Sequence, residues 1–227
     1  MHSRTYILWT FYSMALFIPF SLLAQQHKTT SEMMPSTRVS SIINDSVKKA
    51  FDINSFIFRV IKYTDASGEY FCVLTESNDS FSTTDEGKPD TAHYRIRAIN
   101  LRSDNGKMTK AWEINDFILK NNAEISIWWW TRFCLFQDYD DDGLIEPIIV
   151  YGSHSTDEIN GNRIKFIIYY KGQKIAIRHQ DSDLDEGRGT EVDKAFHSLP
   201  QKLKDAVRAK MELMNKDGLA IFEKTSF

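Results

Sequence analysis

Blocks of basic residues are missing from this chain of 227 residues. Its 28 lysines and arginines are scattered among 31 acids, and the formal net charge is −3. Without a positive stripe there is nothing to draw in a phosphate backbone, which excludes a general nucleic-acid binder. Only two cysteines occur, Cys72 and Cys134, and no His/Cys set has zinc spacing. A phosphate-cradling glycine loop and a Gly-x-Ser-x-Gly nucleophile elbow are also lacking. The residue types of a hydrolase triad coincide only at Ser153, His154, Ser155 and Asp157. They are crowded into one polar stretch, whereas triad members normally converge from separate elements. Acids are numerous enough to compose a glycosidase pair, but no spacing selects one. The sequence offers no catalytic set.

What is present is 42% hydrophobic and 13% aromatic residues, enough for a sizeable core in one domain. Residues 1–24 differ from the rest: Arg4 gives a positive start, an apolar run follows, and Ala24 precedes Gln25-Gln26-His27-Lys28. That is the pattern of a secretory signal peptide cut after Ala24. An uncleaved anchor is the rival, because the run approaches membrane thickness, but Pro19 and the small exit residue favour cleavage. The expected membrane contact is confined to export. Removing one arginine and no acid takes the charge from −3 to −4. Residues 25–41 are polar, contain Pro35 and read as a flexible linker, and residues 42–227 form a single domain. In an oxidising compartment Cys72 and Cys134 either pair or pack as two buried thiols; strand geometry decides.

The pattern then runs hairpin after hairpin. A short helix is expected near 44–51, followed by strands near 56–63, 70–76, 94–102, 108–114, 124–137, 147–151, 164–170 and 174–178. Asn105-Gly106 is a strong hairpin signal. Residues 77–92 read as a mobile polar excursion and 180–190 as an acidic loop. Leu203, Ala206, Val207, Met211 and Met214 fall at helical spacing, with a capping box at Ser198 and Gln201 and a stop at Gly218. About eight antiparallel strands with one C-terminal amphipathic helix predict a mainly β (α+β) fold, a sheet or sandwich. No βαβ alternation supports a parallel sheet. Trp128 and Trp130 share one strand face and Trp129 takes the other; core packing is the favoured reading, with sugar stacking as the alternative.

Asp138-Tyr139-Asp140-Asp141-Asp142-Gly143-Leu144-Ile145-Glu146 is the most informative stretch. Alternating carboxylates on a tight loop supply the oxygens that a hard cation such as Ca²⁺ wants. An EF-hand would need an acid at its twelfth position, which is Ile149, and helices on either side. The loop instead resembles the calcium-binding β-hairpin loops of FG-GAP repeats. That resemblance implies side-chain ligands Asp138, Asp140, Asp142 and Glu146, a backbone oxygen from Leu144, and Asp141 turned to solvent. Residues 181–187 begin the same alternation with the glycine one place late, and read as an acidic surface loop.

The acidic loop with the run 146–151, together with residues 70–76, 112–117, 164–170 and 174–178, resembles a family of small exported bacterial proteins assigned to surface-polysaccharide biosynthesis. The resemblance spans about residues 56–214 and implies a cell-envelope setting without a reaction. The expectation is therefore an exported, calcium-stabilised β-rich binding or accessory protein, periplasmic or at the cell surface. Its expected partner is an envelope glycan or another envelope protein. The alternative is a glycan-active hydrolase using carboxylates of the acidic loops.

Overall fold

The computed structural model describes residues 28–84, 86–119, 123–157 and 161–223, so the expected signal segment lies outside the described residues. The chain opens with β1 (Thr30–Met33), α1 (Ser36–Ile42) and α2 (Asp45–Ala50), then β2 (Phe56–Asp65) and β3 (Gly68–Glu76). A small excursion carries β4 (Ser80–Thr83) and β5 (Pro89–Ala92) before β6 (Arg95–Asp104) and β7 (Lys107–Phe117). There follow β8 (Glu124–Trp129), β9 (Leu135–Gln137), β10 (Glu146–Ser155), β11 (Asn162–Tyr170), β12 (Gln173–Asp181) and β13 (Gly189–Val192). Helix α3 (Gln201–Lys216) closes the domain. The fold is mainly β and antiparallel with a C-terminal helix, as the patterning predicts.

The strands form two principal sheets. The first has the order β1-β2-β3-β6-β7; the second runs β13-β12-β11-β10-β8, with β9 also pairing β10. They face each other across a core that includes Ile61, Cys72, Leu74 and Ile114 from the first sheet and Trp129, Ile149 and Ile167 from the second. The outer face of the second sheet, with Ile148, Phe166 and Ile177, is covered by Leu203, Val207, Met211 and Met214 of α3. The outer face of the first, with Val60, Val73 and Ile99, lies in one cluster with Met34, Ile43 and Ile53 beside α1 and α2. Helix, sheet, sheet and helix make four layers, and central strands are apolar on both faces.

Several boundaries differ from the sequence reading. Residues 30–42 fold as β1 and α1, not as a free linker: β1 pairs Ser31 with Tyr63 and Met33 with Ile61, and Met34 is buried. Edge pairing needs only backbone groups, so a polar segment can join a sheet without an apolar pattern. The excursion at 77–92 contains the small β4–β5 hairpin. The single strand expected over 124–137 is two strands, β8 and β9, separated by a turn in which Phe133 N donates to the Trp130 carbonyl. With β1, β4, β5 and β13 added, this split accounts for thirteen strands among the described residues rather than about eight. The expected capping box does not form, because Pro200 is the N-cap of α3 and Leu199 is extended at ψ 154°. A residue before proline avoids helical backbone, which separates Ser198 from the helix. Asn44 does cap α2, its side chain accepting from Val47 N at 3.1 Å. Cys72 and Cys134 are free thiols, Cys72 buried within the inter-sheet core.

Candidate metal centre

The acidic stretch connects β9 to β10, whose register pairs Gln137 with Glu146. Between them the chain curls through left-handed backbone at Asp141 (φ 61°) and Gly143 (φ 84°). Glycine reaches this region at no steric cost. The curl brings one carboxylate oxygen from each of Asp138, Asp140, Asp142 and Glu146 to within 4.8 Å of one another. Among the described residues they are the one such acidic group, and the 181–187 loop forms none. These four carboxylates could hold a metal ion.

The loop's own amides hold part of this geometry. Gly143 N donates to Asp138 Oδ2 at 2.9 Å, Leu144 N to Asp142 Oδ1 at 2.9 Å, and Tyr139 N to Glu146 Oε2 at 2.8 Å. Leu144, the expected source of a backbone oxygen, lies in the same turn just after Gly143. Asp141 is 72% exposed and ion-pairs with Lys202 of α3. Asp138 Oδ1 and Asp140 Oδ1 are buried and accept no hydrogen bond. A buried oxygen without a donor is costly, and a cation among these carboxylates would relieve it. Burial pushes the Glu146 carboxyl up to about 7; the Tyr139 amide opposes that rise, and the charges of Asp140, Asp142 and Asp138 add to it.

Distant segments complete the surroundings. Tyr170 hydroxyl donates to Asp140 Oδ2 at 3.0 Å, and Lys171 Nζ lies 3.3 Å from Asp142 and 3.6 Å from Asp140. From the β2–β3 turn, Asp65 Oδ2 accepts from Ile145 N at 3.2 Å, and Ala66 N donates to the Gly143 carbonyl at 2.8 Å. Asp65, Tyr170, Lys171 and Lys202 were not legible as neighbours of the loop, since nothing in their local spacing points to it.

The other candidates are dispersed. Ser153 is buried and donates to Glu124 Oε1 at 2.5 Å, while the exposed His154 turns to Asn162. Alternation along β10 puts Ser153 and His154 on opposite faces. Trp129 is buried between the sheets, with Nε1 donating to the Thr75 carbonyl at 3.0 Å; Trp128 and Trp130 are half-buried and stack at 6.3 Å. Compared with family models, with curated proteins and with solved structures, the chain matches none.

Proposed function

We propose that this is an exported binding or accessory protein of the bacterial cell envelope, stabilised by one calcium ion and linked to surface polysaccharide. The observation that carries the calcium reading is the set of four converging carboxylates, two of whose oxygens are buried without a donor. An all-oxygen set on a hairpin loop suits Ca²⁺, which accepts six to eight oxygens in flexible geometry. Exported modules commonly bind calcium at about 10⁻⁴ to 10⁻³ M, a range matched to their surroundings.

The ion would act on the fold. Asp65 and Ala66, Tyr170 and Lys171, and Lys202 tie the loop to three other segments, so ordering the loop orders that end of the molecule. Export rests on residues 1–24, and the envelope setting on the pattern of the sequence. The test is a melting curve in calcium and in EDTA, joined to mass analysis of the N-terminus of the exported chain. The reading expects a higher melting temperature in calcium and a chain beginning at Gln25. An unchanged melting temperature removes the ion, and an uncut N-terminus in the cytoplasmic fraction removes the export.

A further inference from the structure

A cation carried on a different hairpin meets one side of the acidic loop. β11 and β12 are joined by Lys171 and Gly172, both left-handed at φ 48° and 77°, with Tyr170 paired to Gln173. A two-residue turn of this kind is a tight hairpin connection, so the place where the Lys171 side chain starts is fixed. Its ammonium lies 5.0 Å from the centre of the Tyr170 ring, and the hydroxyl of the same ring donates to Asp140. From there it reaches Asp142 Oδ2 at 3.3 Å and Asp140 Oδ2 at 3.6 Å. Among the described residues it is the one cation within 4 Å of the four converging carboxylates. Lys202 pairs instead with Asp141, the acid outside that set.

The other partners of the four are neutral. Backbone amides of Gly143, Leu144 and Tyr139 hold one oxygen each of Asp138, Asp142 and Glu146, and Tyr170 hydroxyl holds one of Asp140. Such donors offer a partial charge, whereas Lys171 brings a whole one. Its side chain is 54% exposed, so it can leave for water with only the Tyr170 ring to part from. Lysine is a point charge on a flexible stem, and it holds the carboxylates without the geometric lock of an arginine fork.

We propose that Lys171 is the resident counter-ion of the acidic loop, and that a divalent ion binds by displacing it. A tethered ammonium does two things here. It relieves the mutual repulsion of the carboxylates when no ion is present, and it opposes the arrival of one. Lys171 is then the residue that sets how weakly the loop holds its ion. This inference rests on the calcium reading of the loop and adds the group that tunes it.

The test titrates calcium chloride calorimetrically into the full metal-free chain, wild type, Lys171→Gln and Lys202→Gln. Lys171→Gln is expected to bind calcium about tenfold more tightly, the scale on which a double and a single positive charge a few ångströms apart repel in water. Lys202→Gln, one acid further away, should change affinity by about twofold or less. The metal-free Lys171→Gln chain should melt below the metal-free wild type. In the wild type, acetylation of Lys171 by an N-hydroxysuccinimide ester, mapped by peptide mass, should run several-fold faster in calcium than in EDTA. Unchanged or weaker calcium binding by Lys171→Gln overturns the proposal, the weaker case making Lys171 a positioning group for the carboxylates. An equal gain from Lys202→Gln overturns it as well, as does acetylation that calcium leaves unchanged or slows. Calcium binding by Lys171→Gln alone supports it. Calcium binding by neither chain overturns the calcium reading itself, whereas equal binding by both leaves that reading standing and removes only this inference.

Discussion

Asp140 faces two ways. One oxygen is shared by Tyr170 and Lys171, and the other is buried with no donor. On the proposed calcium reading, replacing Asp140 by Asn should remove most of the rise in melting temperature that calcium would give. The metal-free variant should melt no lower than wild type, because one of four mutually repelling charges is gone. Asp116 makes the opposite case. Burial works to raise its pKa, but hydrogen bonding and charge from Lys165, the charge of Arg163 and the Phe117 amide outweigh it, and the net shift is down from 3.8. A folded-state pKa below the unfolded one contributes stability above pH ~4, lost as pH falls through the lowered value. Asp116→Asn should therefore cost about 2–4 kcal/mol at neutral pH in urea unfolding, shrinking in strong acid. The thiols are quieter. Burial pushes Cys134 up to about 12 and Cys72 well above its ordinary value, so neither should react with a thiol reagent before the protein unfolds.

Among the elements, those with local chemistry were legible and those held by partners were not. Asn105 and Gly106 adopt φ 49° and 81°, closing the two-residue turn between β6 and β7 that the dipeptide announces. Gly106→Ala should cost about 1 kcal/mol; the space around it is open, so the whole cost is backbone strain. The heptad-like apolar stripe of α3 was equally plain, and Leu203, Val207, Met211 and Met214 are all buried. Leu203→Ala should lower unfolding free energy by about 2–5 kcal/mol, read by chemical denaturation, through the cavity it leaves. By contrast, β1 is exposed along its whole length and held by its ladder to β2, and such backbone bonding has no side-chain signature. The turn at 130–134 was hidden for another reason. Trp130-Thr131-Arg132-Phe133-Cys134 contains no glycine or proline, and Trp130 and Phe133 pack against the core beneath α3. Of the candidate site, the four carboxylates were readable from their spacing, while Asp65, Tyr170, Lys171 and Lys202 arrive only through tertiary folding.

At the scale of the whole molecule, four layers stack so that the inner strands see no water on either side. The run from Phe71 to Thr75 on β3 is buried at every position, as is Ile148 to Ser153 on β10. One loop fastened to several segments would convert the proposed local binding event into global stability. Calcium at a hundred times its dissociation constant should add about 2.7 kcal/mol, a rise of roughly 5–10 °C for a domain of this size in calorimetry. The lysines beside that loop have a consequence for ionic strength. Lys171 and Lys202 sit against Asp140, Asp142 and Asp141, partly neutralising the carboxylates when no divalent ion is there. Added salt would then act in opposite directions on the two forms. It would screen the remaining repulsion in the metal-free loop and weaken the attraction of the loop for its ion, drawing the two melting curves together as a saline environment replaces a dilute one.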